Sequence, residues 1–383
     1  MARVEVSPDL LRWAVTRTGI AEAIENKFPK LNQWIAREEY PTLKQLELFA
    51  KATYTPLGCF FLESPPEERL PIPHFRTLGD QGHAEPPSPD LLETVQIIER
   101  RQQWLRDYLI EQYTEPLKFV GSFNHTEEPK KVAIDIRKAL NLPNGWASHS
   151  RNWQEALRLL QKAIEDIGIY VMMNGIVGNN TRRKLSVQEF RGFVLVDNYA
   201  PIIFLNSSDG KAAQMFTLAH ELAHIWFGKS AIFDLEVLQP ADNETEVACN
   251  SVAAEFLVPE SDLLKYWPLI KLEQYRFQKL ARHFKVSEIV AARRALDLGL
   301  IDRGEFFEFY TEYVQRVTQV TQDSSGGDYY RTQGSRIGRR FAETVITAAR
   351  EGNLLYRDAY RLTGMTGKTF TEFTNRLGSG GTL

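Results

Sequence analysis

The string Thr217-Leu-Ala-His-Glu-Leu-Ala-His-Ile225 constrains this chain more than any other feature of it. On a helix, positions i and i+4 share a face, so the imidazoles of His220 and His224 can reach one cation. Glu221 sits about 100° round from His220, where it can meet a water beside that cation rather than the cation itself. The flanking Met215, Leu218, Leu222, Ile225 and Trp226 are apolar, which places the helix inside a core. Histidines buried there need partners. The alternative reading, two surface histidines beside an ordinary glutamate, is weakened by those flanks. Nitrogen and oxygen donors of this kind suit Zn2+. Such a cation lowers the pKa of bound water towards ~7, and Glu221 can then accept its proton.

A zinc site needs a third protein ligand. The pattern predicts a helix over 243–257, NETEVACNSVAAEFL. Glu246 on it fits a helix-turn-helix return from His224, and Asn250 shares its face as a residue that could orient a ligand. Glu244 and Glu255 fall near the opposite face. Asp242 is the rival ligand. The plainer role for Glu246 is to close a capping box with Asn243.

Composition narrows the function classes. The 383 residues carry 46 Lys plus Arg against 49 Asp plus Glu, a formal net charge of -3. That excludes a uniformly basic nucleic-acid binder but leaves local basic patches open. The two cysteines, Cys59 and Cys249, exclude a disulfide scaffold and a four-cysteine zinc site, and fit a reducing compartment. Both read as core residues, Cys249 more so than as a nucleophile. His74, His83, His125, His149 and His283 have no partner at ligand spacing and read as structural or exposed. No run of ~18 apolar residues and no apolar leader is present, so the expectation is a cytoplasmic protein without a membrane span.

Five segments follow from punctuation and periodicity. Residues 1–64 read as a cluster of short helices beginning at Ser7-Pro8. Residues 65–127 hold a Pro/Gly-rich linker and one long amphipathic helix at 89–113. Residues 128–320 contain helices at 128–140 and 150–167, and strands at 169–173, 193–196 and 201–205. The last two have antiparallel spacing, and beyond 210 the pattern is almost wholly helical. The strand at 201–205 is a candidate exposed edge for an extended substrate. Residues 321–335 read as a flexible linker, and 336–377 as a small basic helical module before a glycine-rich tail. The fold class is mainly α with a small antiparallel sheet (α+β).

TLAHELAHIWFG, followed by EVACNSVAAEFLVP at 246–259, resembles the ImmA/IrrE family of zinc metallopeptidases. The hairpin GFVLVDNYAPIIFLN and the stretch at 280–301 extend the resemblance over about 130–310. It implies a zincin-like domain in which His220, His224 and Glu246 bind zinc and Glu221 is the general base. Ala248 and Cys249 stand where many members have other residues. It also implies site-specific cleavage of a transcriptional repressor, usually a helix-turn-helix protein. Residues 7–62 resemble an Xre-type helix-turn-helix, through Leu11, Ala14, Phe28–Trp34, Tyr40-Pro41-Thr42 and Leu46–Ala50. The combination with a C-terminal extension resembles proteins encoded beside a PIN-like nuclease in toxin–antitoxin pairs.

Two segments are candidates for nucleic-acid binding. Residues 1–64 carry eight basic and eight acidic side chains, so DNA contact requires charges sorted to one face. Lys27, Lys30 and Arg37 could supply that face, with Asn32 and Gln33 reading base edges. A fold used for protein docking is the alternative. Residues 331–377 hold nine basic and four acidic residues, with Arg331, Arg336, Arg339 and Arg340 at the start. A solvated basic face is the commoner explanation for such a run. Gly367-Lys368-Thr369 is not a phosphate loop, because Leu362 occupies the required glycine position. Two functions are thus in competition: a zinc endopeptidase acting on a regulatory protein, and a DNA-binding regulator or antitoxin whose zinc domain is a sensor or scaffold.

Overall fold

The computed structural model describes residues 3–68, 70, 87–233, 243–318 and 334–378. Asp242, His74, His83, Arg331 and most of both linkers lie outside that set. The chain divides into two compact units, the first built from the N-terminal residues together with the start of the long helix, the second from Ile98 onward.

In the first unit, α1 (Pro8–Thr16) starts with proline in its first turn and buries Leu10, Leu11, Ala14 and Val15 on one stripe. Helices α2 (Ala21–Lys27) and α3 (Leu31–Ile35) follow. Helix α4 (Leu43–Ala52) opens on a capping box, in which Thr42 accepts from the Gln45 amide and the Gln45 side chain accepts from the Thr42 amide at 2.8 Å. A 3-10 turn, Leu57–Phe61, closes the bundle. Its centre is aromatic: Phe49 lies 6.1 Å from Trp34, 5.3 Å from Phe28 and 5.6 Å from Phe60. The long helix is α5 (Pro89–Glu111).

The second unit adds α6 (Pro129–Ala139) and α7 (Trp153–Asp166), the latter capped by the Asn152 side chain on the Glu155 amide. Six strands follow, β1 (Tyr170–Asn174), β2 (Ile176–Val177), β3 (Asn180–Lys184), β4 (Gly192–Leu195), β5 (Ile202–Asn206) and, after helix α8 (Lys211–Phe227), β6 (Ala231–Phe233). The main sheet runs β1-β5-β4-β6, and β2 and β3 make a separate hairpin. The β4–β5 pair is antiparallel, with Phe193 opposite Phe204. The sheet is nevertheless mixed, because β1 joins β5 in parallel with Tyr170 opposite Ile202. The strand expected as an exposed edge, Pro201–Leu205, is instead central: β5 is paired on both sides and buried along its length. Its unbroken apolar run, rather than an alternating one, is the physical mark of a strand covered on both faces.

Helix α8 is buried on almost every side, packed on β4 and β5 and covered by α6, α7 and α9 (Glu244–Leu257). Full burial of residues such as Leu218 and Leu222 contributes about 1.5–3 kcal/mol each. It ends in a Schellman motif: Lys229 N–H donates to His224 O and Gly228 N–H to Ile225 O, with Gly228 at φ 68°. The segment before α6 seals the same end, as Gly121 N–H reaches Ile225 O and Phe123 N–H reaches Trp226 O. A Cβ at Gly228 would stand 3.0 Å from the Gly121 Cα, so glycine is needed there twice over. Trp226 stacks on Phe119 and donates its indole N–H to Asp135 at 2.9 Å.

Helix α9 is held at its far end. Buried Arg137 donates to the carbonyls of Glu255 and Phe256, and Arg294 pairs with Glu255. Helices α10 (Glu260–Ile270), α11 (Arg276–Phe284), α12 (Glu288–Asp297) and α13 (Arg303–Thr318) complete this part.

The C-terminal residues form α14 (Arg339–Arg350), α15 (Tyr356–Thr363) and α16 (Gly367–Gly378). They pack on the rest of the second unit. Arg101 of α5, itself buried, donates to Leu362 O, and Trp104 meets Phe341 edge-on at 5.8 Å. Gly338, at φ 83°, lies against β1, where an added Cβ would sit 2.5 Å from Val171 O. Among the described residues no helix is long and apolar enough to cross a membrane.

Candidate metal centre

Helices α8 and α9 bring the predicted donors together. His220 Nε2 lies 3.1 Å from His224 Nε2. Glu246 places Oε2 3.1 Å from His220 Nε2 and Oε1 3.1 Å from His224 Nε2. Tetrahedral donors about 2.0–2.1 Å from a zinc ion stand about 3.3 Å apart, so this spacing fits one ion. The second helix supplies more than the carboxylate. Asn250, one turn beyond Glu246, sets its Oδ1 3.0 Å from His220 Nδ1. With Nδ1–H donating to that oxygen, the Nε2 lone pair turns towards Glu246. Two imidazole nitrogens and two carboxylate oxygens converging at 3.1 Å are held together by a cation or by protons shared among them.

The polar atoms left over point the same way. His220, Glu221 and His224 are fully buried. Both carboxylate oxygens of Glu221, and Nδ1 of His224, have no hydrogen-bond partner among the described residues. An unsatisfied buried carboxylate costs several kcal/mol, and a site that binds water or substrate is where such a cost persists. Burial, reinforced by the Glu246 charge, raises the Glu221 carboxyl well above the usual range. Burial also lowers the His220 imidazole, against the pull of Glu246, favouring the neutral form that binds metals. Glu246 behaves oppositely: burial opposes its charge, but its bonds to His220 and His224 hold its carboxyl far below the ordinary value.

Asn243 caps α9 through the Thr245 amide at 2.8 Å, so the capping-box role expected as the alternative for Glu246 is not taken up. Glu255 is spent on Arg294, and the Glu244 side chain is 90% exposed beside His125. Neither competes for the histidines. Of the remaining histidines, His283 stacks on Tyr266 at 4.3 Å. His149 bonds to Gly145 O at 3.2 Å.

One neighbour escaped the sequence reading. Cys249 is fully buried, and its sulfur lies within 4.8 Å of ligand atoms of both His220 and His224. The signal was available in the helical period, since Cys249 follows Glu246 by three residues and precedes Asn250, on one face of α9.

The candidate nucleic-acid contacts are elsewhere and unlike one another. Lys27, Lys30, Asn32, Gln33 and Arg37 are all exposed, and Lys30 pairs with Glu39 at 3.0 Å. Arg339 is exposed and pairs with Glu343 at 2.9 Å. Arg340 is turned inward: its guanidinium donates to Glu165 O and lies 5.3 Å from the Tyr170 ring centre. Expected as a nucleic-acid contact, Arg340 instead fixes the C-terminal helices to α7 and β1, because its flat cation meets a backbone carbonyl and an aromatic face together.

Residues 337–376, nearly the span of these C-terminal helices, match a family model described as a domain of unknown function, DUF8813. No curated protein matches the chain. Residues 164–296 match the family model of the IrrE N-terminal-like domain, Peptidase_M78. Over that stretch, which contains His220, Glu221, His224, Glu246 and Asn250, the chain is therefore similar to a metallopeptidase domain of the IrrE type.

Proposed function

We propose that this chain is a zinc-dependent endopeptidase that cleaves a regulatory, repressor-type protein, with its N-terminal helical unit serving in target or DNA recognition. The observation that carries the reading is the convergence of His220 Nε2, His224 Nε2 and the Glu246 carboxylate at 3.1 Å, next to a Glu221 carboxylate without a hydrogen-bond partner among the described residues, within the matched peptidase span. His220, His224 and Glu246 are the zinc ligands in this reading. When bound, zinc supplies a Lewis acid that polarises the scissile carbonyl and acidifies water. The chain does the rest. Asn250 fixes the His220 ring. Glu221 Oε takes the proton of the attacking water and returns it to the leaving amine. The apolar walls of α8 keep bulk water from competing.

The test combines metal analysis with protein termini. Purified protein should hold about one zinc per chain, lost in Glu246→Ala and kept in Glu221→Gln. Incubating a host-cell extract with zinc-loaded wild type should create a few new N-termini within DNA-binding proteins, and none with Glu221→Gln. Absence of zinc after reconstitution, or identical termini from both proteins, overturns the reading.

A further inference from the structure

Three donors make up the proposed zinc site, and a fourth protein donor stands beside them. Glu246, Cys249 and Asn250 project from one face of α9 towards α8. The first has its oxygens 3.1 Å from both histidine nitrogens, and the third touches His220 Nδ1 at 3.0 Å. Between them in sequence, the Cys249 sulfur is within 4.8 Å of both histidine ligand atoms. The residue is fully buried, and its surroundings include the charges of Glu246 and Glu221. A cysteine filling core space commonly meets apolar neighbours. This one borders the buried polar side chains of His220 and His224. The carboxylate oxygens of Glu221, fully buried and without a hydrogen-bond partner among the described residues, act electrostatically on Cys249 and are a second unsatisfied group in its surroundings.

We propose that Cys249 is a fourth, releasable ligand of the metal, so that the resting site is closed by His220, His224, Glu246 and Cys249 and opens when the sulfur withdraws. The inference rests on the zinc reading above and adds a regulation to it. Zinc held by four protein side chains has no place for water, whereas three leave one open. A sulfur and a nitrogen on one tetrahedral zinc stand about 3.5 Å apart. The sulfur is thus poised within about an ångström of that distance, which a small side-chain rotation covers. Closing forms a metal–sulfur bond as the S–H bond breaks and its proton leaves to solvent; opening reverses this, and no electron is transferred.

Cobalt(II) distinguishes the states, because a thiolate bound to it adds a charge-transfer band in the near ultraviolet. Full-length wild type, stripped and reloaded with Co(II), should show that band together with strong visible bands. Cys249→Ala and Cys249→Ser should keep the visible bands and lose the near-ultraviolet one. Zinc competition against a chromophoric chelator should show affinity weaker by at least about tenfold in both variants. Identical spectra from wild type and variants with cobalt bound overturn the fourth ligand and leave the peptidase reading standing. Failure of wild type to take up cobalt overturns both, and the wild-type spectrum decides the matter even if a variant does not fold.

Discussion

Two polar surfaces were candidates for function, the α8–α9 seam and the exposed face around α2 and α3, and they differ in what their side chains cost. His220, Glu221, His224 and Glu246 sit inside a core, with carboxylate and imidazole atoms unsatisfied among the described residues. Lys27, Lys30, Asn32, Gln33 and Arg37 sit in solvent, where charge is stabilised by water whatever its role. A buried group without a partner needs a ligand to explain it, and an exposed one does not. The seam therefore carries an argument about chemistry, while the face carries only a pattern. The C-terminal helices teach the same lesson in reverse. Their basic run looked like a surface, but Arg340 is engaged with Glu165 O and Tyr170.

Substitutions should separate these regions by size of effect. The largest belongs to Glu221→Gln, expected to lower peptide cleavage by about 10²–10⁴-fold while leaving zinc content unchanged. A peptidase assay on the identified substrate, with metal analysis of the same sample, checks both halves. If cleavage survives, the buried carboxylate is structural and the contrast collapses.

Next come the positions where backbone approaches backbone. Gly228→Val should destabilise the second unit by about 2–4 kcal/mol, since it forces a β-branched residue to φ 68° against Gly121. Urea unfolding at constant slope would measure it. Gly338→Ala should loosen the C-terminal helices from β1, read as faster amide exchange in β1 and in residues 339–378 while the α8 core stays protected.

A pH effect follows from Glu165. Burial, only partly offset by Arg340, pushes its carboxyl up to about 7. The folded state therefore holds a proton that the unfolded chain releases near 4.5, so stability falls as pH rises through that window and levels off above about 7. Melting of wild type against Glu165→Gln at pH 5 and pH 8 should show the wild type losing up to about 3 kcal/mol relative to the variant. A constant difference between the two proteins would mean that Glu165 is ionised throughout. The smallest effect is expected from Asn32→Ala and Gln33→Ala, within about 0.5 kcal/mol by the same melts. A larger loss would show that this face packs against something.

Local structure was legible wherever one helical or strand period sets it. The helix bearing His220 and His224, its stop at Gly228, the cap at Thr42, the β4–β5 hairpin and the common face of Glu246 and Asn250 all follow from spacing within a few residues. The short hairpin β2–β3 and the strand β6 escaped, because runs such as Asn180–Lys184 are polar and no periodicity marks them.

What the amino-acid order determined by itself was which side chains share a face, since the 3.6-residue turn fixes that without reference to the rest of the chain. Tertiary structure alone decided which faces meet. It placed β5 in the centre of a mixed sheet, turned Arg340 inward, set the Glu246 face of α9 against the histidines, and brought Cys249 within reach of them. Those outcomes depend on packing between segments far apart in sequence, where burial of apolar surface selects the arrangement and polar groups take the partners that it leaves them.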